Sequence, residues 1–186
     1  EAWVDQILLR ISNGSINNPW NIPSYMSGDM YNIYFAEEVL KEFKPELLVV
    51  NMFGVDACHT NFTGYCDAMR RADWAVGHLW KTIQNTPGLA DDTVLIVAPE
   101  IGRNGTPNSI VDANGRSALD HTNGDPIAKE IFCMVAGPPS VVNQGKVLSQ
   151  EVGRSVDIVP TIANILGFDS EIQGLLPGNV LYDAFV

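Results

Sequence analysis

Basic residues are scarce in this chain. Eleven Lys and Arg stand against 22 Asp and Glu, for a formal net charge of -11. Binding to a phosphate backbone rests on Lys and Arg, so a nucleic-acid binder is excluded and an acidic, soluble surface is the plain reading. Long apolar runs are absent too. None approaches the roughly 20 residues that span a bilayer, so no membrane span is expected. Cysteine is sparse: Cys58, Cys66 and Cys133 allow at most one disulfide. Cys133 falls in an apolar run and reads as core, whereas Cys58 reads as a buried structural thiol rather than a soft metal ligand. The chain shows no internal repeat and no low-complexity tract. It opens at Glu1 without Met or a signal-like segment, which points to processing and leaves the compartment open, a secreted or periplasmic one included. The sequons at Asn13, Asn61 and Asn104 are weak signals.

Against these absences stands a hydrophobic content of 46% over 186 residues, enough for one substantial core and a single domain over residues 1–186. Strand-like and helix-like segments alternate. The expected fold class is therefore α/β, a mainly parallel sheet flanked by helices. Helices are expected at residues 2–11, 30–43, 64–84 and 156–166, the third having apolar residues at Cys66, Met69, Ala72, Val76, Leu79, Trp80 and Ile83, a helical period. Asp157 would cap the last of them, with Pro160 in its first turn. Residues 12–29 read as irregular. The apolar runs at 46–53, 93–98 and 131–136 read as buried strands, with Leu47 to Val50 covered on both faces. Residues 102–115 form a long Asn- and Gly-rich loop, a type that is more often functional than not.

The chemistry gathers at the ends of those runs. Val55-Asp56-Ala57-Cys58-His59-Thr60 and Ala98-Pro99-Glu100-Ile101-Gly102-Arg103-Asn104 follow the first two, and Ala118-Leu119-Asp120-His121-Thr122 precedes the third. Ligands of open α/β sheets are held at the carboxyl ends of strands. Imidazole beside carboxylate suits a divalent metal, Zn or Mn. Asp56 and His59 converge if the backbone turns, and His121 arrives from a neighbouring loop, which leaves a zinc ion one open position. The bland alternative is a loop Asp capping an N–H, a surface His and a turn Asp-His pair. Asp120 either orients a liganding His as an acceptor or is itself a ligand in place of His121. Arg103 either meets an anionic substrate in a bidentate fork or pairs with an acid. Glu100 is either a carboxylate ligand or a solvated loop acid. His78 lies inside a helix and reads as a satisfied helix residue; Trp74 and Trp80 read as core.

The order of these segments resembles the C-terminal half of the alkaline phosphatase superfamily, which includes phosphatases, nucleotide phosphodiesterases, sulfatases and phosphoglycerate mutases. The similarity spans roughly residues 30 to 181. It takes in LADDTVLIVAPEIGRN at 89–104, SVDIVPTIANILG at 155–167 and the Gly-x-x-Pro-Gly-x-x-Leu pattern at 174–181. The resemblance implies an incomplete member of that fold. Asp56, His59 and His121 would be one metal position and Glu100 half of a second, acting on a small anionic ester. Two departures stand out: Ile101 sits where the family has a His, and Asp56-x-x-His59 is one residue tighter than the common spacing. No Ser or Thr nucleophile is recognisable before Asp56. The resemblance therefore implies the metal-binding portion of a phosphoester or sulfoester hydrolase, inactive in isolation. The alternatives are a non-catalytic binding module, or part of a phosphotransferase or mutase.

Overall fold

The computed structural model describes residues 2–15, 20 and 27–186. Helix α1 (Ala2–Ser12) lies against α2 (Gly28–Phe43), with the Trp3 ring edge-on to Phe43 at 5.0 Å between centroids. Ser27 starts α2 by accepting from the Met30 N–H. Lys44 ends it in the left-handed region, φ 44°, its N–H returning to the Leu40 carbonyl, and Pro45 prevents any continuation. The long helix α3 (Phe62–Asn85) is capped by Asn61, whose side chain accepts from Gly64 N–H. Met30, Ile33 and Leu40 of α2 interlock with Ala75, Leu79 and Ile83 of α3 to form the core, closed by Leu89. The helical period at 64–84 is that of this buried stripe. The irregular stretch expected at 12–29 falls largely outside the described residues.

The sheet differs from expectation. In place of a mainly parallel sheet flanked by helices, the described residues hold two short strands, β1 (Leu95–Val97) and β2 (Met134–Ala136), paired antiparallel with Leu95 opposite Ala136. The run Leu47 to Val50 joins no ladder. Leu47, Leu48 and Val49 stay exposed, and only beyond them do side chains alternate, Val50 and Met52 packing on the helical core while Phe53 faces out. A short apolar run records hydrophobicity but not the number of faces covered, and that ambiguity produced the wrong fold class. Cys133, expected in the core, is exposed for the same reason. No helix among the described residues is long and apolar enough to cross a membrane.

Beyond β2, a 3-10 turn (Ser155–Asp157) leads into α4 (Ile158–Leu166). Asp157 does not cap α4 with its side chain. Its carboxylate accepts instead from Arg154 N–H at 2.6 Å and Asn179 N–H at 2.8 Å, tying residues 177–181 to the helix start. Gly167 closes α4 at φ 79°, and the short α5 (Asp169–Ile172) follows. Because β1 and β2 run antiparallel, the segment that joins them, residues 98–133, leaves and returns at the same end of the ribbon. All but two of the candidate ligand groups lie on it.

Candidate metal centre

Residues Gly54–His59 form a 3-10 turn. Asp29 of α2, itself buried, sets its start: the carboxylate accepts from Phe53 N–H at 2.8 Å and Gly54 N–H at 2.7 Å. A Cβ on Gly54 would lie 2.5 Å from Asp29 Oδ2, so a larger residue there would push the Asp29 carboxylate off these N–H groups. With three residues per turn, positions i and i+3 eclipse in a 3-10 helix. Asp56 and His59 therefore project together, and the tight Asp-x-x-His spacing is the one this turn requires. Cys58 between them is fully buried, an anchor whose thiol burial pushes above its ordinary pKa.

Backbone bonds lace this turn to the other two segments. Leu119 N–H donates to Cys58 O at 3.0 Å and Asn104 N–H to Asp120 O at 2.8 Å. Asn108 donates its side-chain N–H to His59 O at 3.1 Å, and Asn104 Oδ1 accepts from Thr122 N–H at 2.8 Å. Gly102 passes so near the 3-10 turn Ile127–Lys129 that a Cβ would sit 2.6 Å from the Glu130 carbonyl oxygen. The loop 108–118 folds back on itself around Asp112, which accepts from Thr63, Asn114 and Arg116. Those bonds, the Arg116 N–H first, hold the Asp112 carboxyl at a pKa of about 2.

The result is a convergence of Asp56, His59 and His121. One ligand atom from each lies within 4.8 Å of the others. Asp56 Oδ1 is 3.2 Å from His59 Nε2 and 3.8 Å from His121 Nε2. Tetrahedral zinc with bonds of about 2.0–2.1 Å needs ligand atoms about 3.3 Å apart, so the Asp56–His59 pair already has that spacing and His121 would have to close in on it. Asp120 is not in this set. Its Oδ1 lies 2.8 Å from His59 Nδ1, and that hydrogen bond, followed by one from Asn108, holds its carboxyl below the usual range. An ionised Asp120 can only accept, so the His59 proton sits on Nδ1 and Nε2 is left for a ligand, the arrangement of a carboxylate–histidine–metal unit. The two readings of Asp120 thus separate in favour of the orienting acceptor.

Arg103 completes the centre. Its Nη2 donates to Val55 O at 3.0 Å and to Asp56 Oδ1 at 3.3 Å, and its Nη1 lies 3.3 Å from His59 Nε2. The guanidinium rests 5.8 Å from the centre of the Tyr65 ring. Burial nudges the Asp56 carboxyl up, but the Arg103 hydrogen bond together with His59, Arg103 and His121 outweighs it and holds the group below its ordinary pKa. Glu100 lies apart, exposed in the bend after β1 and outside the convergent set. Sequence reading missed Asp29, Asn108 and Tyr65. Asn108 carried a usable signal, a polar side chain inside a long loop between two site segments; Asp29 and Tyr65 act through space and carried none. Comparison with protein-family models, curated proteins and solved structures finds no match.

Proposed function

We propose that this chain is the metal-binding portion of a metal-dependent phosphoester or sulfoester hydrolase, holding one divalent ion, Zn or Mn, on Asp56, His59 and His121. The convergence of these three groups, one ligand atom from each within 4.8 Å of the others, carries the reading. The order of the segments around them, similar to that of the alkaline phosphatase superfamily, supplies the substrate class, a small anionic ester. An ion bound there acts as a Lewis acid toward an ester oxygen. Asp120 keeps the His59 proton on Nδ1, and the Asp29 carboxylate fixes the turn that carries two of the ligands. Hydrolysis also needs a nucleophile in line with the leaving group. Among the described residues no Ser or Thr hydroxyl is hydrogen-bonded to the Asp56, His59 or His121 side chains. Ile101 offers no donor beside Glu100. The chain by itself is therefore read as binding an ion without turning over aryl phosphate, phosphodiester or sulfate esters.

The test is ion retention. After loading with Zn or Mn and desalting, elemental analysis should find about one ion per chain, and far less when His59 and His121 are both replaced by Ala. No retained ion, or equal retention in the double variant, removes the proposal. Ester turnover that Asp56→Ala abolishes would place a nucleophile within these residues and overturn the silent part of the reading.

A further inference from the structure

Asp56 Oδ1 and His59 Nε2 lie 3.2 Å apart, and with Asp120 accepting from Nδ1–H the neutral ring presents its lone pair at Nε2. Two acceptors this close repel one another unless a cation lies between them. Arg103 is that cation. One guanidinium nitrogen reaches His59 Nε2 and the other Asp56 Oδ1, each at 3.3 Å. The fork thus bridges two of the three atoms that a divalent ion would take. We infer that Arg103 is a built-in competitor for the Asp56–His59–His121 site, so that a divalent ion enters only by displacing the guanidinium from both ligand atoms.

The inference rests on the metal reading and adds a property to it. A guanidinium is permanently charged and cannot deprotonate to make room. It cannot leave far either, because its side chain is only 13% exposed, it donates to Val55 O at 3.0 Å and it rests on the Tyr65 ring. An arriving ion therefore meets a like charge held at close range as well as occupied ligands. Both effects weaken binding. The opposite role, a strut that orients the ligands, would make Arg103 strengthen binding. The sign of one measurement separates the two.

Isothermal titration of Zn or Mn into the wild-type chain, Arg103→Ala and Arg103→Gln is that measurement, with circular dichroism to establish that each variant is folded. Gln keeps a neutral donor for the Val55 carbonyl and guards against collapse of the loop in the Ala variant. Both variants should bind the ion about tenfold more tightly or better, the scale set by a single charge facing a double charge across a few ångströms of wet protein. Methylguanidinium in the millimolar range should then weaken ion binding to Arg103→Ala and leave the wild type unchanged. Equal or weaker binding by both folded variants, with the wild type still binding, overturns the competitor and leaves the metal site standing. Absence of binding in all three chains overturns the metal site, and the competitor with it.

Discussion

Two carboxylate–imidazole pairs in this molecule look alike on paper and do opposite things. In the helical core, His78 of α3 pairs with Glu37 of α2 at 2.6 Å. At the loop junction, His59 pairs with Asp120 at 2.8 Å. Glu37 is buried and also accepts from the Trp20 indole N–H at 3.0 Å. The His78 ring is flanked by Trp20 at 4.7 Å and Trp74 at 5.1 Å. No further ligand group converges on His78 among the described residues, so the pair joins two helices. His59 uses its carboxylate only to set the proton, and its other nitrogen faces Asp56 and Arg103. The lesson lies in the second nitrogen: a His–acid pair becomes a site when the ring's far side meets other donors, and stays structural when it meets aromatic faces.

The largest expected effect on stability tests the structural half of this contrast. Glu37→Ala leaves the part-buried Trp20 indole N–H and the His78 imidazole without their buried acceptor, and should cost about 2 kcal/mol of stability in urea denaturation. Asp120→Ala, at the half-buried junction, should cost clearly less. If the two losses come out equal, the division between a structural and a site pair fails. The next effect tests the other half. Replacing His59 and His121 together by Ala should weaken Zn or Mn binding by about 100-fold or more in a titration. His78→Ala should leave that affinity unchanged, and a drop there would mean that the helical pair belongs to the site.

Smaller effects sharpen the picture. Asp120→Asn keeps the shape but replaces a full acceptor with an amide, and should weaken ion affinity about tenfold without altering the far-ultraviolet spectrum. Unchanged affinity would mean that Asp120 does not orient His59. The smallest effect concerns Asp112, whose folded pKa of about 2 lies below the ordinary 3.8. A depressed carboxyl lends stability above its unfolded pKa and loses it as pH falls through the folded value. The stability advantage of the wild type over Asp112→Asn should therefore be flat above pH about 4 and shrink between about 4 and 2. A gap that persists unchanged below pH about 2 would show that the carboxylate charge does not clasp the loop to α3.

Helices and the residues of the convergent group were legible for reasons that can be named. The stripe Ala75, Leu79 and Ile83 repeats at helical spacing and can be buried only on one face, so local pattern and tertiary packing agree. Asp56, His59 and His121 were readable as candidate ligands because the residue types are chemically specific and their segments are short. The sheet was not legible. Leu47, Leu48 and Val49 carry the same apolar message whether they are covered on two faces, on one, or left open as here, since strand pairing depends on what lies beside a run.

By itself, then, the sequence determined the helical stripes, the acidic surface and which side chains have the chemistry to hold an ion. Those properties are written residue by residue. Only the tertiary structure decided that Asp120 hydrogen-bonds His59 from outside the convergent set, that Arg103 bridges Asp56 and His59, and that Glu100 stands apart. Each of these is a relation between residues 44 to 61 positions apart or, for Glu100, the lack of one. Its sign is set by distances of a few ångströms, which a one-dimensional pattern does not contain.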